Sequence, residues 1–185
     1  MATFTIVLDT ETTGLPNFSK NGFYPPSEIT HYDSSRLLEL GYGIYDEEGK
    51  LVRHFESLVK PNGFEVACTH IHGITATMAA EGSPVQDVLK QFAEDLECAH
   101  TVVAHNIMFD VNILLSECYR LGNTEIPTLL LSKKLSCTKE MAEKKYGKRL
   151  KLVNLYEKLF EPIEQEHRAM SDVIMCSRCY FGLKK

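Results

Sequence analysis

The chain has 185 residues, 44% of them apolar and 24% charged, values that fit one compact domain around a single core. No apolar run approaches the roughly 18 residues that a membrane span needs, and the first one meets Asp9 before it could serve as a signal-peptide core. An intracellular, cytoplasmic protein without a membrane partner is expected, and a net charge of −5 argues against one that holds nucleic acid through a global basic field.

Phe4–Leu8 is apolar and β-branched without polar alternation, the pattern of a strand covered on both faces at the centre of a sheet. Thr12–Pro16 carries turn chemistry. The polar stretch Asn17–Ser35 has no clear periodicity and contains Pro25-Pro26, so a long surface loop is expected over 17–35. Leu37–Tyr45 and Leu51–Val59 read as a β-hairpin whose Gly49 supplies a positive φ at the turn. With the first strand they form a three-strand meander.

Ser83-Pro84 then opens a helix with Val85, Val88, Leu89, Phe92 and Leu96 on one stripe, Ser83 as N-cap and Pro84 at the first helical position. Thr101–Ala104 is a short strand crossing into a helix with Val111, Leu114, Leu115, Cys118 and Leu121 inward and Gly122 as its stop. Thr128–Leu131 reads as a fifth strand. The Lys-rich region beyond it carries one or two helices, with Leu152, Leu155 and Leu159 on the later one. Met170, Val173, Ile174, Ser177 and Phe181 mark a last helix. The alternation of strands and helices defines an α/β fold, a mixed sheet of about five strands flanked by helices.

Six cysteines sit mostly alone in apolar stretches and read as reduced thiols filling core volumes. Cys176 and Cys179 have the spacing of a metal pair, but a closed zinc site needs about four ligands and no second pair accompanies them. From Lys133 to Lys151 eight basic residues stand against Glu140 and Glu143, a local charge of +6. Such a run serves either as a solvated helix face or as a surface that tracks phosphates.

The acidic residues carry the chemistry. Residues two apart on a strand share a face, so Asp9 and Glu11 aim two carboxylates into one volume at a strand's carboxyl end, where ligand sites of α/β sheets lie. Asp110 follows the short strand at the start of a helix, and Asp172 begins the last helix, five residues after His167. Each alone could be a solvated strand end or a first-turn carboxylate that favours its helix dipole. Together, four carboxylates suit hard divalent cations such as Mg²⁺ or Mn²⁺. Two such ions about 4 Å apart can activate an attacking water and stabilise a leaving oxygen at phosphorus. His167, an imidazole that exchanges its proton around neutrality, suits a general base, placed in the loop before the last helix.

Asp9-Thr-Glu11-Thr-Thr-Gly14, His105-Asn106-x-x-Phe109-Asp110 and His167-Arg168-Ala169-x-x-Asp172, in this order, resemble the three motifs of the DEDDh 3′–5′ exonucleases, a family that includes the proofreading subunit of bacterial replicative DNA polymerase. Arg36–Leu40, Lys60-Pro61, His72–Thr75 and Leu152–Tyr156 resemble its connecting segments, so the likeness covers nearly the whole chain. The resemblance implies a ribonuclease H-like fold, a single exonuclease domain over 1–185, and two metal ions, Mg²⁺ or Mn²⁺, bound by Asp9, Glu11, Asp110 and Asp172, with His167 as general base. It places Thr12 and Leu15 beside the terminal nucleotide, Leu15 against its base, and adds Ile71, Asn106 and Phe109 as pocket candidates. The implied partner is a nucleic acid with a 3′ end, single-stranded DNA in preference to RNA, and a polymerase or other replication protein is a candidate partner.

Two departures stand out. The 17–35 loop is longer than the usual connection, and Ser136-Cys137-Thr138 stands where many relatives carry Asp-Thr, a change expected to alter the outer wall and not the metal site. The alternatives are an exoribonuclease trimming RNA 3′ ends and a non-catalytic nucleic-acid-binding module. All five residues of the centre are present, which weighs against the module.

Overall fold

The computed structural model describes residues 3–162 and 167–184. β1 (Phe4–Thr12) is followed by a ribbon of β2 (Phe18–Ser19) and β3 (Gly22–Phe23), a 3-10 turn at Ile29–Tyr32, and the hairpin β4 (Leu37–Tyr45) and β5 (Leu51–Leu58). Then come α1 (Thr69–His72), α2 (Ala76–Ala80), α3 (Val85–Glu97), β6 (Ala99–Ala104), α4 (Ile107–Arg120) and α5 (Glu125–Leu131). β7 (Lys134–Cys137), α6 (Thr138–Tyr146), α7 (Leu152–Leu159) and α8 (Ala169–Leu183) complete the chain.

The five-stranded sheet has the order β5-β4-β1-β6-β7, with β1 central as its unbroken apolar run predicts. β4 pairs antiparallel with β1 and β5, while β6 runs parallel to β1 and β7, so the sheet is mixed and the meander is present. Gly49 has φ +83° at the hairpin turn, as its position requires.

Side-chain alternation on β1 sorts the core into two layers. Ile6 and Leu8 pack with Val88, Leu89 and Phe92 of α3 and Val111, Leu114 and Leu115 of α4. Val7 and Val103 face the other way, onto Leu152 and Leu155 of α7 and Val173, Cys176 and Cys179 of α8. Asp9 and Glu11 continue Val7's face, so they emerge on the α8 side.

Two expectations need correction, and two others gain detail. Thr128–Leu131 belongs to helix α5, and the fifth strand is Lys134–Cys137. An apolar run this short does not distinguish strand from helix, and Pro127 sits comfortably in a first helical turn. Helix α3 is capped by Pro84, one residue later than expected, without a side-chain cap bond. Ser83 instead extends the end of β5, its N–H donating to Leu58 O at 2.9 Å and its carbonyl accepting from Lys60 N–H at 2.8 Å.

The 17–35 segment is not featureless. Phe18 and Phe23 pair across its ribbon at 5.0 Å, Tyr32 is buried and donates to Tyr24 O at 2.6 Å, and Arg120 of α4 grips Ile29 O at 2.7 Å and Asp33 at 2.6 Å. Finally, Cys118, Cys137, Cys176 and Cys179 are buried thiols, but Cys68 is half-buried and Cys98 is exposed at the end of α3. Among the described residues no helix is long and apolar enough to cross a membrane.

Candidate active site

β1 stays extended through Thr12, so Asp9 and Glu11 do share a face, and α8 brings Asp172 to them in its first turn. Carboxylate oxygens of Asp9, Glu11 and Asp172 all lie within 4.8 Å of one another. α8 can come this close because β4 carries glycine at position 41: a Cβ there would stand 2.9 Å from the backbone of Ala169 and Met170. Beside it, Glu39 is fully buried and receives Arg168 through both carboxylate oxygens, while Ala169 N–H donates to Oε2 at 3.0 Å. Glu39 thus ties down the start of α8 and keeps the Arg168 guanidinium engaged at its own carboxylate.

Asp110 reaches the site from the other layer, in the first turn of α4, and is fastened by Thr10, whose N–H and hydroxyl donate to Oδ1 at 3.1 and 2.9 Å. It lies outside the three-residue cluster but acts on it electrically. Burial pushes the Asp9 carboxyl well above its usual range, and the charges of Asp110, Asp172, Glu11 and Glu39 push it further. Glu11 is raised to about 8, by burial first and then by Asp172, Glu39 and Asp110, with Arg168 opposing. Burial raises Asp110 to about 7, against the lowering effect of the Thr10 hydrogen bonds. Crowded carboxylates of this kind are at rest either protonated or around a cation. The all-oxygen donor set fits a hard divalent ion.

His167 is exposed, with φ +50°, immediately before Arg168. It lines a cleft of about 360 Å³ together with Asp9, Asp172, His105, Lys139, Arg149, Leu150, Lys151 and Leu152. A larger concavity, about 480 Å³ between Glu48, Phe160, Arg178 and Phe181, holds none of the clustered acids; chemistry rather than size selects the first.

None of the five residues expected to bind substrate is among the lining of the 360 Å³ cleft. Thr12 is buried and its hydroxyl donates to Gly14 O at 2.8 Å, which makes it a turn residue. Leu15 and Ile71 are 67% and 51% exposed, so both are open to contact. The two elements are linked, since Cys68, at the start of α1, donates through Sγ to Thr13 O at 3.3 Å. Buried His72 fixes α1 from within, accepting from Ile74 N–H at 3.0 Å through Nδ1 and donating from Nε2 to Ala67 O at 2.9 Å. Asn106 is exposed in the left-handed conformation ahead of α4, and Phe109 packs partly into the core.

His105, Glu39 and the cleft's three cations were not singled out from the sequence as separate parts of the site. Glu39 had a signal: one acid inside the buried run Leu37-Leu38-Glu39-Leu40. His105 lines the cleft with its ring tied on both sides, its Nε2–H donating to Leu150 O at 3.0 Å and its Nδ1 accepting from the Thr138 hydroxyl at 2.9 Å. Thr138, at the departure from the family pattern, is therefore a fully buried support of the cleft.

A mixed sheet between helical layers, with crowded acids at the carboxyl end of its central strand, is a ribonuclease H-like fold. The exonuclease family model (RNase_T) matches residues 6–180, and the chain belongs to that family of nuclease hydrolases. It is 31% identical over 159 residues to the DNA polymerase III epsilon subunit of Pasteurella multocida, covering 83% of this chain and 56% of that protein. It is 31% identical over 170 residues to the PolC-type DNA polymerase III of Listeria innocua, covering 90% and 10% respectively. The chain thus spans about half the length, or less, of these curated relatives. Similar folds include Exonuclease X in complex with 5′ overhanging duplex DNA, with a TM-score of 0.67 and 22% identity, covering 97% of this chain and 90% of that one. Escherichia coli exonuclease I in complex with an oligonucleotide gives 0.79 and 14%, covering 100% and 41%.

Proposed function

We propose that residues 1–185 act as one exonuclease domain that removes nucleotides from the 3′ end of single-stranded DNA. The observation that carries this reading is the approach of carboxylate oxygens of Asp9, Glu11 and Asp172 to within 4.8 Å of one another, with Asp9 and Asp172 lining a cleft that also holds His167. Asp9, Glu11, Asp110 and Asp172 would hold two divalent ions, Mg²⁺ or Mn²⁺. When bound, such ions supply positive charge for an in-line displacement at phosphorus.

The chain's own groups do the rest. Asp9, Glu11 and Asp172 present oxygens from one side, Thr10 fixes the orientation of Asp110 from the other, and the Glu39–Arg168 pair holds the start of α8 against β4. His167, exposed at the cleft mouth, accepts the proton from the attacking water. Leu15 and Ile71 offer apolar surface for bases without sequence readout. The choice of DNA agrees with relatives named as DNA polymerase III proteins, and a polymerase or other replication protein is the proposed partner.

The test is release of mononucleotides from a 5′-labelled single strand in Mg²⁺ or Mn²⁺. Asp9→Ala is expected to abolish it, with a loss of at least about a thousandfold, the scale on which a two-metal centre contributes. Unchanged activity in a clean Asp9→Ala preparation would overturn the reading. The fold also occurs in a 3′-exonuclease solved for recognition of the 3′ end of a histone mRNA stem-loop, so the assay runs on DNA and RNA of one sequence. Faster RNA trimming would replace the DNA assignment and keep the centre.

A further inference from the structure

Folding divides the basic run 133–151 into parts with different neighbours. Lys144 and Lys145 are exposed on α6, Lys145 above the ring of Tyr146, and Lys133 and Lys134 lie at the start of β7. Lys139, Arg149 and Lys151 instead line the cleft that contains Asp9, Asp172 and His167. The same cleft thus carries three cations and two carboxylates.

We propose that Lys139, Arg149 and Lys151 form a phosphate-binding wall, which holds the backbone of the nucleic-acid strand at the linkages next to the one being cleaved. The proposal rests on the exonuclease reading for the identity of the strand, and on the cleft alone for the site. Four features argue for it. A chain of net charge −5 repels a polyanion, and the crowded acids repel it most where it must enter; a local cationic surface is the remedy the cleft contains.

The backbone that carries the cations is also anchored before any ligand arrives. Lys139 lies in the first turn of α6, next to Thr138, which is fully buried and bonded to His105. Arg149 and Lys151 flank Leu150, whose carbonyl is held by His105 Nε2–H, and Leu152 after them is buried. Anchored backbone reduces the ordering cost of binding. Moreover, Lys139 and Lys151 form no ion pair among the described residues. Arg149 pairs with Glu143 through Nε at 2.9 Å, the arginine side chain largely exposed and the glutamate about half, an exchangeable contact that uses one edge of the guanidinium.

The test is binding of fluorescein-labelled oligo(dT), with phosphorothioate linkages to slow cleavage, followed by anisotropy in Mg²⁺ across a range of salt. Each phosphate contact on a single strand contributes about 0.7 to the slope of log affinity against log salt. Lys139→Ala/Arg149→Ala/Lys151→Ala is expected to lower that slope by about 2 and to raise KM more than it lowers kcat. Lys133→Ala/Lys134→Ala/Lys144→Ala removes the same charge away from the cleft and is expected to leave the slope unchanged. Equal losses from both variants, or no loss from the first, overturn the proposal. Should the wall variant fail to fold, Lys139→Gln and Lys151→Gln singly are each expected to cost about 0.7 of slope, and no loss from either overturns it. Wild-type nucleotide release is measured on the same preparation. Release without a slope difference sinks the wall alone; a slope difference without release sinks the exonuclease reading and leaves a phosphate-binding surface.

Discussion

His105 shows how the placement of one proton fixes a wall of the cleft. Leu150 O can only accept, so Nε2 carries the hydrogen and Nδ1 takes that of Thr138, whose oxygen lies 3.6 Å from Cys176 Sγ. The ring must be neutral for Nδ1 to accept. Burial, with Lys139 adding to it, lowers its titration to about 4 from the ordinary 6.5, against the raising effect of the Leu150 bond. Between about 4 and 6.5 the unfolded chain therefore binds more protons than the folded one, and this residue's contribution is complete above 6.5 and lost as pH falls through that window. His105→Ala strands the Leu150 carbonyl and the Thr138 hydroxyl, at an expected cost of about 1–3 kcal/mol in urea unfolding at neutral pH. The gap to wild type is expected to narrow as pH drops toward about 4; a constant gap would show that the ring is not held neutral.

At the scale of elements, the crossing of α8 over β4 decides whether the acids meet. Gly41 permits the contact and Glu39, two residues earlier, clamps it, so one strand supplies both the space and the tether. Gly41→Ala would set a methyl group 2.9 Å from rigid backbone, which α8 can relieve only by moving away from β1 with Asp172. Destabilisation of about 1–3 kcal/mol is expected, together with a disproportionate loss of kcat, since about 1 Å of displacement at a catalytic group can cost a hundredfold. Melting and steady-state kinetics of the variant check both parts. Full kcat at a lowered melting temperature would leave Gly41 a packing residue only.

The same scale shows what the sequence makes legible. β1, β4, β5, α4 and α8 are long and strongly patterned, and each stands where its periodicity places it. β7 is short and at the sheet's edge, with Lys134 exposed and Ser136 half-buried, so polar residues break its pattern while the apolar Thr128–Leu131 imitates a strand. Asp9 and Glu11 were readable because strand alternation is local. The Lys139–Arg149–Lys151 wall was not, because which members of a basic run face the cleft depends on how α6 and the segment after it dock.

For the molecule as a whole, folding concentrates negative charge at one end of a sheet in a chain that is already acidic. Without a cation this end favours protons: Glu11 titrates at about 8 and Asp110 at about 7, both above ordinary carboxylates. The sign of the linkage follows. Between the ordinary carboxylate range, about 4–4.5, and about 8 the folded protein binds more protons than the unfolded chain, so stability of the chelated protein falls as pH rises through that window. A divalent ion competes for the same oxygens and only when they are ionised, so its binding releases protons and tightens with pH. In scanning calorimetry the chelated protein is therefore expected to melt several degrees lower near pH 8 than near pH 5, with Mn²⁺ restoring the loss near pH 8 and adding little near pH 5. Glu11→Gln, which keeps the shape and removes the charge, is expected to flatten both the pH dependence and the Mn²⁺ response. A wild-type melting temperature indifferent to Mn²⁺ near pH 8 would mean that the acid end is stabilised by something other than metal, and the two-ion assignment would fall with it.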